Sequence, residues 1–228
     1  MRQSFLIIIT LWLYNSGYSQ YPLGGLYTQD FNSLVSTGSS NLLPAGWSFS
    51  ETGTATDGLY IAGTGSGSTG DTYSYGAAAS TERGLGLLQS GSLVSTIGFY
   101  FTNTTGNTIT RLSVNYTGEQ WRMGATGRID RLDFQFSLNA STITNGDWAD
   151  IDGLDFAAPV NSGPAGALDG NAGTQQRVIT YTITGILIPS GSTCFFRWTD
   201  LDAAGADDGL AIDNFSIQPD FTLPSSKY

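Results

Sequence analysis

Apolar and polar residues alternate with period two through several stretches of the chain. In residues 111–117 the apolar set is Leu112, Val114 and Tyr116, and in 132–138 it is Leu132, Phe134, Phe136 and Leu138. In 178–183, Ile179, Tyr181 and Ile183 oppose Val178, Thr180 and Thr182. Successive side chains of a pleated strand point to opposite faces, so each stretch predicts a strand with one buried side. Further strands are expected at 27–31, 46–50, 85–88, 92–102, 193–198 and 210–218. Beyond residue 20 no ten-residue stretch sustains the 3.6-residue period of a helix. Short strands joined by turns, without helices, predict an all-β protein: a two-sheet β-sandwich of jelly-roll type, in which two sheets close over one core.

The connectors set the domain plan. Residues 63–70 read GTGSGSTG and residues 161–173 are rich in Gly, Ala and Pro. The stretch before the first connector is too small for a core of its own, so both are expected as loops of a single domain spanning 20–218. Residues 1–19 carry Arg2, an apolar run from Phe5 to Leu13, and small residues at Gly17 and Ser19, the pattern of a secretory signal. That run is shorter than a bilayer span, which argues against membrane insertion. Residues 219–228 are expected as a flexible tail. A secreted or cell-surface location follows.

Charge and composition narrow the chemistry. The net charge is −10, from 19 acidic and nine basic residues, and a surface of that sign repels nucleic acid and anionic lipid. Histidine is absent, which removes His-based triads, His ligands for zinc and the usual general base near neutral pH. Only Glu51, Glu82 and Glu119 are glutamates, and none lies in a motif marking an acid–base pair, so a non-catalytic protein is expected over a polysaccharide-active enzyme. Cys194, the single cysteine, falls in an apolar run and reads as a buried, inert thiol.

Two acidic features invite a cation. The loop 199–209 contains Asp200, Asp202, Asp207 and Asp208. Its opening has Asp at positions 1 and 3 and Gly205 at position 6 of an EF-hand loop, but Ala204 and Ala211 stand where that loop needs an oxygen at 5 and a glutamate at 12. Two readings remain: a non-helical calcium site, or a solvated turn whose carboxylates cap backbone amides. Asp213 is the second feature, because alternation through Ala211, Asp213, Phe215 and Ile217 sets it on an apolar face, where a carboxylate needs a counter-charge.

QDFNSL at 29–34 and LPAGW at 43–47, together with GLAIDNFSI at 209–217, resemble the first and last strands of bacterial extracellular jelly-roll modules of the cleaved-adhesin and MAM-like type. The resemblance implies that the two ends of the domain lie side by side, and that Asp30 and Asp213 share a structural calcium ion. Pairing of Asp213 with Arg131 or Arg197 is the alternative. Two readings remain for Glu119, Trp121 and Arg122, with Arg197 and Trp198 beside them and Trp148 in a loop as an exposed anchor: a glycan platform, since sugar rings stack on aromatics between hydrogen-bonding rims, or tryptophans that belong to the sandwich core, their commoner role. The combined expectation is a secreted, calcium-stabilised module that binds a glycan, a cell-surface polymer or an adhesion partner. A self-associating surface protein joined through strand edges is the second reading.

Overall fold

A computed structural model describes residues 20–221. The expected signal and the last seven residues lie outside the described residues. In chain order the strands are β1 (Tyr21–Leu23), β2 (Tyr27–Gln29), β3 (Ser39–Ser40), β4 (Trp47–Thr52), β5 (Tyr60–Gly63), β6 (Asp71–Tyr75), β7 (Gly84–Leu88), β8 (Val94–Asn103), β9 (Ile109–Met123), β10 (Arg131–Ser137), β11 (Ala149–Asp150), β12 (Phe156–Ala157), β13 (Gly166–Ala167), β14 (Gln176–Ile188), β15 (Thr193–Asp200) and β16 (Gly209–Asp220). A single 3-10 turn, Asp152–Leu154, interrupts them. Among the described residues no helix is long and apolar enough to cross a membrane.

The strands form two sheets. One runs β1-β8-β15-β10-β11, with β4 beside β8 and β12 beside β10; the other runs β13-β9-β16-β7-β6-β5-β3, with β14 beside β9 and β2 beside β16. From β8 onward the long strands alternate between sheets, so each connection crosses the end of the core. This is the expected β-sandwich. The ends of the domain do meet: β2 runs antiparallel to β16, with Gln29 opposite Phe215 and Tyr27 opposite Ile217. The last strand continues to Asp220, past the expected start of the tail, because Pro219 and Asp220 still pair with Leu112 and Arg111 of β9.

Alternation fills the space between the sheets. Leu112, Val114 and Tyr116 of β9 meet Phe99 and Phe101 of β8 and Phe134 of β10. At the centre Trp47 stacks near Trp198 (5.8 Å between ring centroids), and both take Phe215 edge-on. The buried Trp47 indole satisfies its N–H on the Tyr27 hydroxyl at 2.9 Å, which ties β4 to β2. Cys194 is buried and its thiol is pushed well above its ordinary pKa by burial, which makes it inert as expected.

A second, smaller apolar cluster forms on the outer face of the β9–β16 sheet, where Tyr73, Tyr75, Leu88, Trp121 and Ala211 stack together. The two Gly-rich connectors cover it. Gly65 (φ 76°) presses its backbone against the Trp121 carbonyl so closely that a Cβ there would overlap it. The Arg122 guanidinium donates to the Gly65 carbonyl at 3.1 Å, and Leu168 N–H to the Trp121 carbonyl at 2.8 Å.

Candidate metal centre

The site grows from the outward-facing residues of two central strands. On β9 these are Glu119 and Trp121, on β16 Ala211 and Asp213, with Ala211 directly opposite Glu119. The neighbouring β7 presents Gly84, whose position leaves room for the Glu119 carboxylate: a Cβ there would sit 2.8 Å from its Oε2. Glu82 enters from the loop just before β7. Carboxylate oxygens of Glu82, Glu119 and Asp213 all lie within 4.8 Å of one another.

Asp213 reaches this face because β16 bulges. Between Asp213 and Ser216 the strand advances three residues while β9 advances two, from Thr117 to Asn115. Asn214 takes a left-handed conformation (φ 49°) as the extra residue. Leu210 and Ile212 therefore point into the core before the bulge and Phe215 and Ile217 after it. Asp213 is consequently not on the face of Phe215, as uninterrupted alternation predicted, but on the opposite one beside Glu119.

Little compensates this charge. Glu119, 1% exposed, accepts one hydrogen bond from the Trp121 indole (2.8 Å). Asp213, 3% exposed, accepts from the Asn214 amide at 2.7 Å through Oδ2, while its buried Oδ1 has no hydrogen-bond partner. Glu82 accepts from the Asn171 amide. The adjacent Arg83 turns away to the Ser74 hydroxyl (2.8 Å) and carbonyl. Burial pushes Glu119 up to about 8, with the charges of Asp213 and Glu82 adding to the rise. Burial also pushes Asp213 up to about 7, with Glu82 and Asp30 contributing. Three carboxylates and an unused buried oxygen make a hard, all-oxygen donor set that fits calcium, which takes six to eight oxygens at about 2.3–2.6 Å.

Asp213 is thus near Asp30 but shares no group with it, and it is paired with none of its expected partners. Asp30 is exposed, caps the Asn32 amide (3.2 Å) and lies outside the three-carboxylate group. Neither arginine reaches Asp213. Arg131 pairs with Asp133 at 2.5 Å, and Arg197 donates to Gln135 at 2.8 Å.

The acidic loop behaves as a turn. Among the described residues its four aspartates do not converge as a three-carboxylate group. Asp208 accepts from the Gly124 amide (2.7 Å) and the Gln120 side chain (2.8 Å), Asp207 accepts from the Ala203 amide (3.3 Å), and Asp202 faces solvent. Arg128 supplies the cation, 3.0 Å from the fully buried Asp130 and 3.5 Å from Asp208. Asp200, at the end of β15, is pushed up to about 10 by burial and by its neighbours Asp130 and Asp207. A second convergent group does exist elsewhere, formed by Glu51, Asp57 and Asp71; there Glu51 Oε1 already accepts from the Thr72 hydroxyl at 2.7 Å.

The expected glycan platform is dispersed. Trp198 is in the core between the sheets, Trp121 lies under the connectors, Glu119 belongs to the carboxylate group and Arg122 anchors a loop. Burial of both indoles removes the ring faces a sugar needs. Trp148 and Arg197 do come together, on the outer face of the β8–β15 sheet, with the guanidinium 3.9 Å from the ring centre. Beside the edge strand β4 runs a groove of about 630 Å³, bounded by Leu42, Pro44, Trp47, Ser48, Phe49 and Glu51. Glu82 carried no sequence signal, since Glu119 and Asp213 are distant along the chain; Arg128 and Asp130 pair with each other two positions apart but meet Asp208 only in the fold.

No family model matches this chain, and no curated protein matches it in sequence. Several solved structures are similar to it. The K3 cleaved adhesin domain of Lys-gingipain from Porphyromonas gingivalis is 13% identical, with a TM-score of 0.46 over 84% of this chain and 98% of that one. A family 11 carbohydrate-binding module from Clostridium thermocellum, in complex with a mixed-linked tetrasaccharide, is 10% identical, with a TM-score of 0.34 over 85% and 95%. The enzymatically active domain of bacteriophage CBA120 tailspike protein 4 is 11% identical, with a TM-score of 0.39 over 77% of this chain; the chain spans 20% of that protein's length.

Proposed function

We propose that this chain is a secreted, non-catalytic binding module that holds one structural calcium ion at Glu82, Glu119 and Asp213 and presents its surface to a glycan or another cell-surface adhesion partner. One observation carries the reading: the buried carboxylates of Glu119 and Asp213 and the half-buried one of Glu82 converge without any basic side chain, and the buried Asp213 Oδ1 is unpaired. A divalent cation there joins β9, β16 and the loop before β7. Through the bond from Asn171 to Glu82 it also fastens the connector that seals Trp121. The non-catalytic assignment rests on the burial of the two central carboxylates: Glu119 and Asp213 are 1% and 3% exposed, out of reach of a polymer. Binding is assigned to the surface that stays open, the Trp148 and Arg197 pair and the groove along β4, because each offers an aromatic or apolar floor with polar edges.

The test is thermal unfolding of the purified chain in EDTA and in millimolar calcium, with E119Q and D213N beside it, followed by a glycan array in both conditions. Calcium is expected to raise the melting temperature of the natural chain and to leave both variants unmoved. Identical melting of the natural chain with and without calcium would falsify the ion assignment.

A further inference from the structure

Unpaired strand edges join other chains unless they are short, charged, bulged or covered. Most edges here are short. The outermost strands β3, β11, β12 and β13 have two residues each and β1 has three; β4, with six, lies along the floor of its groove. β14 is different. It has 13 residues, pairs without interruption with β9 from Gln176 to Thr184, and among the described residues no strand pairs with its other side, although the 3-10 turn Asp152–Leu154 packs Gly153 against the Tyr181 ring.

Its chemistry is that of an edge left open. The run QRVITYTIT at 176–184 contains no proline and no acidic residue, in a chain with 19 acidic residues, and its one charge is Arg177. Val178 is 69% exposed and Tyr181 42%, and Thr180, Thr182 and Thr184 are exposed as well. The ladder phase shows which backbone groups are free. Gln120 N–H donates to the Gln175 carbonyl at 2.9 Å, so odd-numbered residues turn their main chain toward β9. Val178, Thr180, Thr182 and Thr184 then turn N–H and C=O outward, and their side chains stand on the outer face of the sheet.

We infer that two copies of this chain join β14 to β14, antiparallel about a two-fold axis at Tyr181, into one continuous sheet. In that register Thr180 faces the partner's Thr182 and Val178 faces the partner's Thr184, each pair exchanging two main-chain hydrogen bonds. Arg177 comes opposite the partner's Gly185, so no like charges meet although each copy carries −10. Charge therefore selects this edge, the longest acid-free stretch of free backbone, as the place where two acidic molecules can approach. The register shift between Thr184 and Ile188 ends the pairing, and the two-fold uses both free edges at once, giving a closed dimer instead of a fibre.

Sedimentation of the purified chain from micromolar to near-millimolar concentration tests this, with amide exchange read at Val178, Thr180 and Thr182. A dimer is expected, with protection of those amides that grows with concentration. T180P removes an outward N–H and no main-chain bond to β9, and T180K/T182K sets like charges opposite one another across the axis; both also remove the Thr180 hydroxyl bond to Asn115, and the double variant the Thr182 bond to Ser113. Each is expected to raise the dissociation constant at least about tenfold. The double variant keeps every backbone donor, so it decides the matter if T180P misfolds. A natural chain that stays monomeric throughout, a dimer that survives T180K/T182K, or open-ended polymers would each overturn the inference.

Discussion

Trp198 and Trp148 show how one residue type takes opposite roles, one turned inward by a strand and the other carried on a loop against that strand's outer face. On β15, Cys194, Phe196 and Trp198 point inward while Phe195 and Arg197 point outward. Trp198 is fully buried and touches Trp47, Tyr116, Phe134 and Phe215. Trp198→Ala is expected to cost roughly 3–5 kcal/mol, because an indole-sized cavity cannot collapse among rings held by two sheets. That corresponds to a melting point lower by about 6–20 °C for a chain of this size. Trp148→Ala opens no such enclosed cavity, since its half-buried ring lies at the surface between Arg197 and the edge of Phe195, and should cost only about 1 kcal/mol. Calorimetry on the two variants measures the contrast, and weaker retention of W148A on a glycan that holds the natural chain would place the ligand on that face.

Strands were legible in the sequence wherever one face is dry and the other wet, as at Leu112, Val114 and Tyr116 of β9 or Leu132, Phe134 and Phe136 of β10. The meeting of β2 with β16 was legible too, through the motifs at the two ends. The face of Asp213 was not, because one inserted residue reverses every side chain beyond it and Asn214 carries no unique mark of a bulge. Nor was the union of Glu82 with Glu119, which depends on β7 and β9 both lying beside β16. The acidic loop was misleading for a related reason: its counter-charge, Arg128, comes from the connector between β9 and β10. Arg128→Ala should therefore destabilise by about 3 kcal/mol, the low end for breaking a buried ion pair, as Asp130 keeps hydrogen bonds from the Arg131 and Asp208 amides at 2.9 and 2.8 Å. Denaturant unfolding measures it. A loss under 1 kcal/mol would mean that those amides alone carry the buried charge.

For the whole molecule, the acidic groups make stability depend on pH in a direction that tests the proposed cation. Glu119 titrates near 8 and Asp213 near 7 in the folded chain, against ordinary values of 4.5 and 3.8. Between those limits the folded chain binds more protons than the unfolded one, so the contribution of these groups to stability is complete below about pH 4 and is lost as pH rises toward 8. Asp71, raised to about 7 chiefly by burial, and Asp200, raised to about 10, add to the same slope. In EDTA the melting temperature should therefore fall steadily from pH 5 to pH 8. Calcium bound at the proposed site would displace the protons that Glu119 and Asp213 otherwise retain, so its affinity would grow as they ionise, and the gap between the calcium and EDTA curves should widen over the same range. E119Q and D213N lower the charge without changing the shape of the site: in EDTA their curves should be flatter than that of the natural chain, and the gap should close. A gap of constant width from pH 5 to pH 8 would place the calcium at groups already ionised at pH 5, away from Glu119 and Asp213.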